Sequence, residues 1–91
     1  MPFSFRVAGV SFRKEVIRGV VARGGPEQPC TLRLCPSNIS DKNALAVDVD
    51  GVQVGWVPKK VNRRVDPSRA YAATFHWWDE ESMYCARVDA T

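Results

Sequence analysis

Two stretches of this chain hold side chains whose types and spacing could do chemistry. The first is Pro36-Ser37-Asn38-Ile39-Ser40-Asp41-Lys42-Asn43-Ala44-Leu45-Ala46-Val47, and the second is Gly55-Trp56-Val57-Pro58-Lys59-Lys60. Together they offer a carboxylate, two carboxamides and a cationic pair at the rim of a small sheet. Such a rim suits a ligand with both hydroxyls and phosphates. A carboxylate at Asp41 accepts a hydrogen bond from a free hydroxyl but repels a phosphate placed at the same point. Lys59 and Lys60 at the start of a helix would make a phosphate-friendly corner. Each group also has a plainer use: Asp41 and Asn38 can bond turn amides, and the lysines can simply be solvated.

Aromatic residues supply the other candidate contacts. Phe12 and Trp56 can stack on bases or pack in a core. Trp77 and Trp78 are adjacent, so on a regular strand they point to opposite faces and one of them is exposed. His76 is the single histidine and has no partner cluster. No Ser-His-Asp order, paired-carboxylate site or Gly-rich phosphate loop is recognisable, so the expectation is a protein that is not an enzyme and carries no cofactor.

The elements that must position these groups follow from the pattern. Phe3, Phe5 and Val7 alternate with polar or small residues as in a half-buried strand ending at Gly9. Phe12, Val16, Ile17, Val20 and Val21 recur at helical spacing, and Arg23 to Pro29 reads as a loop. Thr31–Cys35, Ala44–Val49 and Val52–Val57 read as strands, with Asp50-Gly51 as a two-residue hairpin turn between the last two. Pro58 suits the first turn of a short basic helix from Lys59 to Val65. Ala70–Trp78 and Met83–Val88 complete the set around the acidic turn Asp79-Glu80-Glu81. In the former strand Tyr71, Ala73, Phe75 and Trp77 share one face, and Ala72, Thr74, His76 and Trp78 the other.

The order is β-α-β-β-β-α-β-β. Two helices cannot cover both faces of such a sheet, so the expected fold is mainly β (α+β). It is a small six-stranded, partly closed OB-like β-barrel with two short helices, in which curling disposes of the sheet edges. With 91 residues there is room for one domain, residues 1–91, and for no second core.

Hydrophobic residues at 45% and charged residues at 25% exclude a disordered chain. No apolar run approaches the roughly 20 residues of a membrane span, and the opening residues lack signal-peptide architecture, so a cytoplasmic location is expected. Cys30, Cys35 and Cys85 make an odd count without metal-site spacing, which points to reduced, buried thiols rather than a disulfide framework or zinc. The net charge of +3 is mild, but Lys59, Lys60, Arg63, Arg64 and Arg69 fall in one short segment. A local cationic patch attracts anions whatever the overall balance.

The combination of Val7-Ala8-Gly9-Val10-Ser11-Phe12 with the two stretches above resembles the HIRAN domain. That domain stands at the front of certain Swi/Snf-type DNA-dependent ATPases and occurs as a free-standing small protein in bacteria and phages. The resemblance covers residues 3 to 65 and arguably the whole chain. It implies a modified oligonucleotide-binding barrel that captures the 3′ end of single-stranded DNA. In that pattern Asp41 meets the terminal 3′-hydroxyl, Lys59 meets phosphate, Asn38 matches, and Phe12 stands where a DNA-contacting Tyr usually lies. Ser40 takes the place of a stacking aromatic and Ser11 that of a basic residue.

The functional expectation is therefore a nucleic-acid-binding module, single-stranded DNA favoured, acting in DNA repair or processing. Its candidate residues are Asn38, Ser40, Asp41, Lys59, Lys60, Phe12, Trp56, Arg13 and Arg63. The alternative is a protein-interaction module whose loops dock a helicase, nuclease or ATPase partner.

Overall fold

A computed structural model describes residues 2–35, 43–66, 71–80 and 83–91. Six strands form one antiparallel sheet: β1 Phe3–Arg6, β2 Glu27–Leu34, β3 Leu45–Val49, β4 Val52–Trp56, β5 Ala73–Glu80 and β6 Met83–Ala90. Helix α1 spans Lys14–Gly24, and α2 spans Lys59–Asn62. Neighbours in the sheet run β1-β6-β5-β2-β3-β4. The sheet curls until its two outermost strands meet. Beyond β1, the Ala8 amide donates to the Trp56 carbonyl at 2.8 Å, and the Trp56 amide donates to the Ala8 carbonyl at 2.9 Å.

Gly55 makes this meeting possible. A Cβ built there would land on Val7 Cγ1 and lie 2.6 Å from the Ala8 carbonyl oxygen. No side chain fits where two backbones approach this closely. The expected partly closed, OB-like barrel is the fold found.

Alternation sorts the strands into an inner and an outer face. Phe5, Leu45, Val47, Val49, Val54, Phe75, Trp77, Ala86 and Val88 are buried inside, with Ile17 and Val20 of α1 packed against them. A buried aliphatic or aromatic side chain of this kind contributes roughly 1.5–3 kcal/mol relative to exposure. Along β5 the expected faces hold: Ala73, Phe75 and Trp77 are buried, whereas Trp78 is 53% exposed. The Asp50-Gly51 turn holds too. Both residues have positive φ, 54° and 74°, as a two-residue turn matched to the strand twist requires.

Several boundaries differ from the sequence reading. Phe12 lies not on the buried stripe of a helix but in a 3-10 turn, Val10–Phe12, that precedes α1, and it is 91% exposed. Val16 also faces out. Gly9, at φ 77°, turns the chain ahead of this segment, so the apolar stripe begins only at Ile17.

The expected loop from Arg23 to Pro29 shrinks at both ends. The first two of its residues still belong to α1, and Glu27, Gln28 and Pro29 already pair with β5. Pro29 is tolerated because β3 begins pairing only at Cys30, leaving one side of β2 open there. Gln28 ties the strand to the helix, its amide nitrogen donating to the Val20 and Gly25 carbonyls at 3.0 and 2.8 Å. Strand β5 starts later than expected, at Ala73, and both β5 and β6 run two residues further.

Helix α2 is one turn rather than two. After Asn62 the chain winds on in tighter turns, with Arg64 N–H bonded to the Val61 carbonyl and Val65 N–H to that of Asn62, which buries Val65 against the core. Of the three thiols, Cys30 is buried, but Cys35 and Cys85 are half-exposed at the surface.

Candidate nucleic-acid interface

The β4 exit and the stem of the polar stretch share one edge of the sheet. Cys35 N–H donates to the Ala44 carbonyl at 2.8 Å, closing the stem of the 36–43 segment. One residue further, the Leu45 carbonyl accepts from Val57 N–H at 2.9 Å. Val57 leads directly through Pro58 into Lys59. A cleft of about 260 Å³ opens between the two, lined by Leu34, Asn43 and Leu45 on one side and Asn62, Arg63 and Val65 on the other. The candidates Asn38, Ser40 and Asp41, like Arg69, lie outside the described residues.

The cations at this edge are exposed. Lys59, Lys60, Arg63 and Arg64 all face solvent. Elsewhere arginines are tied to carboxylates: Arg18 to Asp79 at 2.9 Å, Arg33 to Asp48 at 2.7 Å, Arg23 to Asp50 at 3.7 Å and Arg87 to Asp89 at 3.3 Å. Among the described residues no ion pair engages Lys59, Lys60, Arg63 or Arg64, nor Arg6 or Arg13. Cations held clear of carboxylates keep their donors for an anion. Because α2 is a single turn, it offers point charges and little dipole.

The seam fixes where Trp56 stands relative to the turn that carries Phe12. A Cβ at Gly9 would sit 3.4 Å from the Trp56 ring, so the turn carrying Phe12 and Arg13 is anchored against that indole. Trp56 pairs with Ala46 and alternates with the inward Gly55, so it lies on the outer face rather than sealing the barrel mouth. Arg33 pairs with Ala46 from the other side, and Ala46 is fully buried between them.

Titration directions fit this division of labour. The Arg18 guanidinium, through its hydrogen bond and charge, holds the Asp79 carboxyl below the usual carboxylate range. Burial pushes the Cys30 thiol up to about 11. Neither group belongs to the rim. Among the described residues no group of three or more His, Cys, Asp and Glu side chains could hold a metal ion, and no helix is long and apolar enough to cross a membrane.

Compared with known proteins, the chain matches no family model, no curated protein and no solved structure. The reading of the site therefore rests on its own residues. Sequence reasoning missed Arg33 as a member of the outer face. The exposure of one of the two adjacent tryptophans was legible, but which neighbours it would have was not.

Proposed function

We propose that this protein is a non-enzymatic nucleic-acid-binding module that prefers single-stranded DNA. The observation that carries this reading is the set of exposed cations, Lys59, Lys60, Arg63 and Arg64, that no ion pair engages among the described residues, with Arg63 lining the cleft beside the 36–43 stem. Phosphate contacts supply most non-specific affinity for nucleic acid, and aromatics such as the exposed Phe12 and the half-buried Trp56 add sequence-tolerant stacking. The resemblance to the HIRAN domain supports the same reading and adds its sharper form, in which Asp41 selects a free 3′-hydroxyl.

Fluorescence anisotropy tests both levels. A 3′-hydroxyl oligonucleotide binds better than its 3′-phosphorylated twin, and Asp41→Ala erases the difference. Equal binding of the two removes end selection but leaves general binding. Absence of binding to any oligonucleotide at low salt defeats the proposal and favours a module that docks a helicase, nuclease or ATPase.

A further inference from the structure

We propose that a single strand of nucleic acid crosses the outer face of the barrel, stacking on Trp56 and Trp78 with phosphates on Arg6 and Arg87. The inference rests on the reading above in taking the ligand to be nucleic acid, and from Trp56, which both share, it extends the site onto Trp78, Arg6 and Arg87.

Register places the two indoles on one band. Trp78 of β5 lies opposite Cys85 of β6. Arg6 lies opposite Arg87, and Val7 N–H donates to the Ala86 carbonyl at 2.9 Å, which carries that register on and sets Ala8 beside Cys85. Ala8 in turn bridges Trp56. The band therefore reads Trp78, Cys85, Ala8, Trp56 across β5, β6, β1 and β4. Three strand-to-strand steps span about 14 Å. Its ends are tall and aromatic and its middle is small. That profile leaves the backbone floor low between two stacking platforms.

The arginines run alongside. Arg6 and Arg87 sit directly opposite each other one step, about 6.8 Å, along their strands from Ala8 and Cys85. Like charges in directly opposed cross-strand positions repel, so their pairing is not explained by sheet stability. Arg87 spends one nitrogen on Asp89 at 3.3 Å and keeps the rest of its fork, while no ion pair among the described residues engages Arg6. Trp78 is the diagonal neighbour of Arg87, about 7–8 Å away, within reach of both a base and its phosphate.

Glu80 follows Trp78 by one step along β5, whereas Asp89 and Glu27 lie off the band. Asp89 is on the far side of the arginines from the indoles and is held by His76 Nε2 at 3.0 Å as well as by Arg87. Glu27 lies one strand beyond His76. Cations beside the exposed Trp78 and the half-buried Trp56, with Asp89 and Glu27 set off the band, complement a phosphodiester strand whose bases are unstacked. A duplex, whose bases stack on one another, cannot use the indoles.

The test compares a thymidine tetranucleotide with a dodecanucleotide, each carrying a 5′-fluorophore, by anisotropy on the intact protein. Trp78→Ala weakens the dodecanucleotide roughly tenfold and Trp78→Phe restores most of that loss, as base stacking on an aromatic predicts. Arg6→Gln with Arg87→Gln lowers the salt slope by about 1.4, roughly 0.7 per phosphate contact on a single strand. The tetranucleotide, which the rim alone can hold, is unaffected by either change. Unchanged dodecanucleotide affinity in all three variants overturns the track, while loss in Lys59→Gln/Lys60→Gln keeps the rim. No binding of either length to the wild-type protein overturns both.

Discussion

The backbones of Ala8 and Trp56 exchange two hydrogen bonds, and this one bridge joins the first strand of the sheet order to the last. The interior that buries Phe75 and Val88 is closed on that side by a single residue pair and the glycine beside it. The same bridge sets Trp56 against the turn that presents Phe12.

Gly55→Ala tests the seam. Its Cβ meets the Val7 side chain and the Ala8 carbonyl, both fixed by pairing on either side. Overpacking of this kind costs about 1–3 kcal/mol. Urea unfolding followed by circular dichroism should show that loss, whereas Gly51→Asn, at φ 74° in an open turn, should cost much less.

Removing charge at the rim should change the salt dependence of binding more than the fold. Lys59→Gln with Lys60→Gln replaces two exposed groups that no ion pair engages among the described residues. The slope of log affinity against log salt should fall by about 1.4 for a single strand, with the urea midpoint unchanged. An anisotropy titration across salt concentrations reads the slope directly.

Cys30 should be the slowest thiol to react. Burial raises it from 9.0 to about 11, so the folded protein holds its proton more tightly than the unfolded chain does. Stability from this group is complete below 9.0 and is lost as pH rises from there toward about 11. Ellman's reagent should label Cys35 and Cys85 first in the native state, and Cys30→Ala should flatten the alkaline limb of the melting temperature.

Asp79 behaves in the opposite sense. Its carboxyl is held below its ordinary 3.8, first by the hydrogen bond from Arg18, so its contribution is present above that value and fades as pH falls through the lower folded one. The pair is exposed and the effect is small and salt-sensitive. Asp79→Asn should remove a minor acid limb from thermal melts at low ionic strength, and added salt should shrink the difference.

The sequence pattern was enough to read the meander, the Asp50-Gly51 turn and the split faces of Trp77 and Trp78, because each depends on neighbours within a few residues. Pro29 in a strand was not readable, since its tolerance comes from β3 starting one residue later on the adjoining strand. The position of Phe12 misled for a related reason: helical spacing counts residues but does not register that Gly9 has already turned the chain. At the rim, the run of basic residues was plain from their order. The outer band was not, because Trp78, Cys85, Ala8 and Trp56 come from four strands and only the completed sheet makes them a row.

Phe3 pairs with Ala90, so the first strand acquires its hydrogen-bonded neighbour only after nearly everything between them has been ordered. Ring closure over that distance is entropically slow, and chains dominated by such distant pairings typically fold in about milliseconds to seconds. Until then Phe3 and Phe5 form a short greasy ribbon with an open edge. During synthesis that ribbon leaves the ribosome ahead of every other strand of the sheet and waits longest for its partner, which makes it the part of this small barrel most prone to pairing with the wrong molecule.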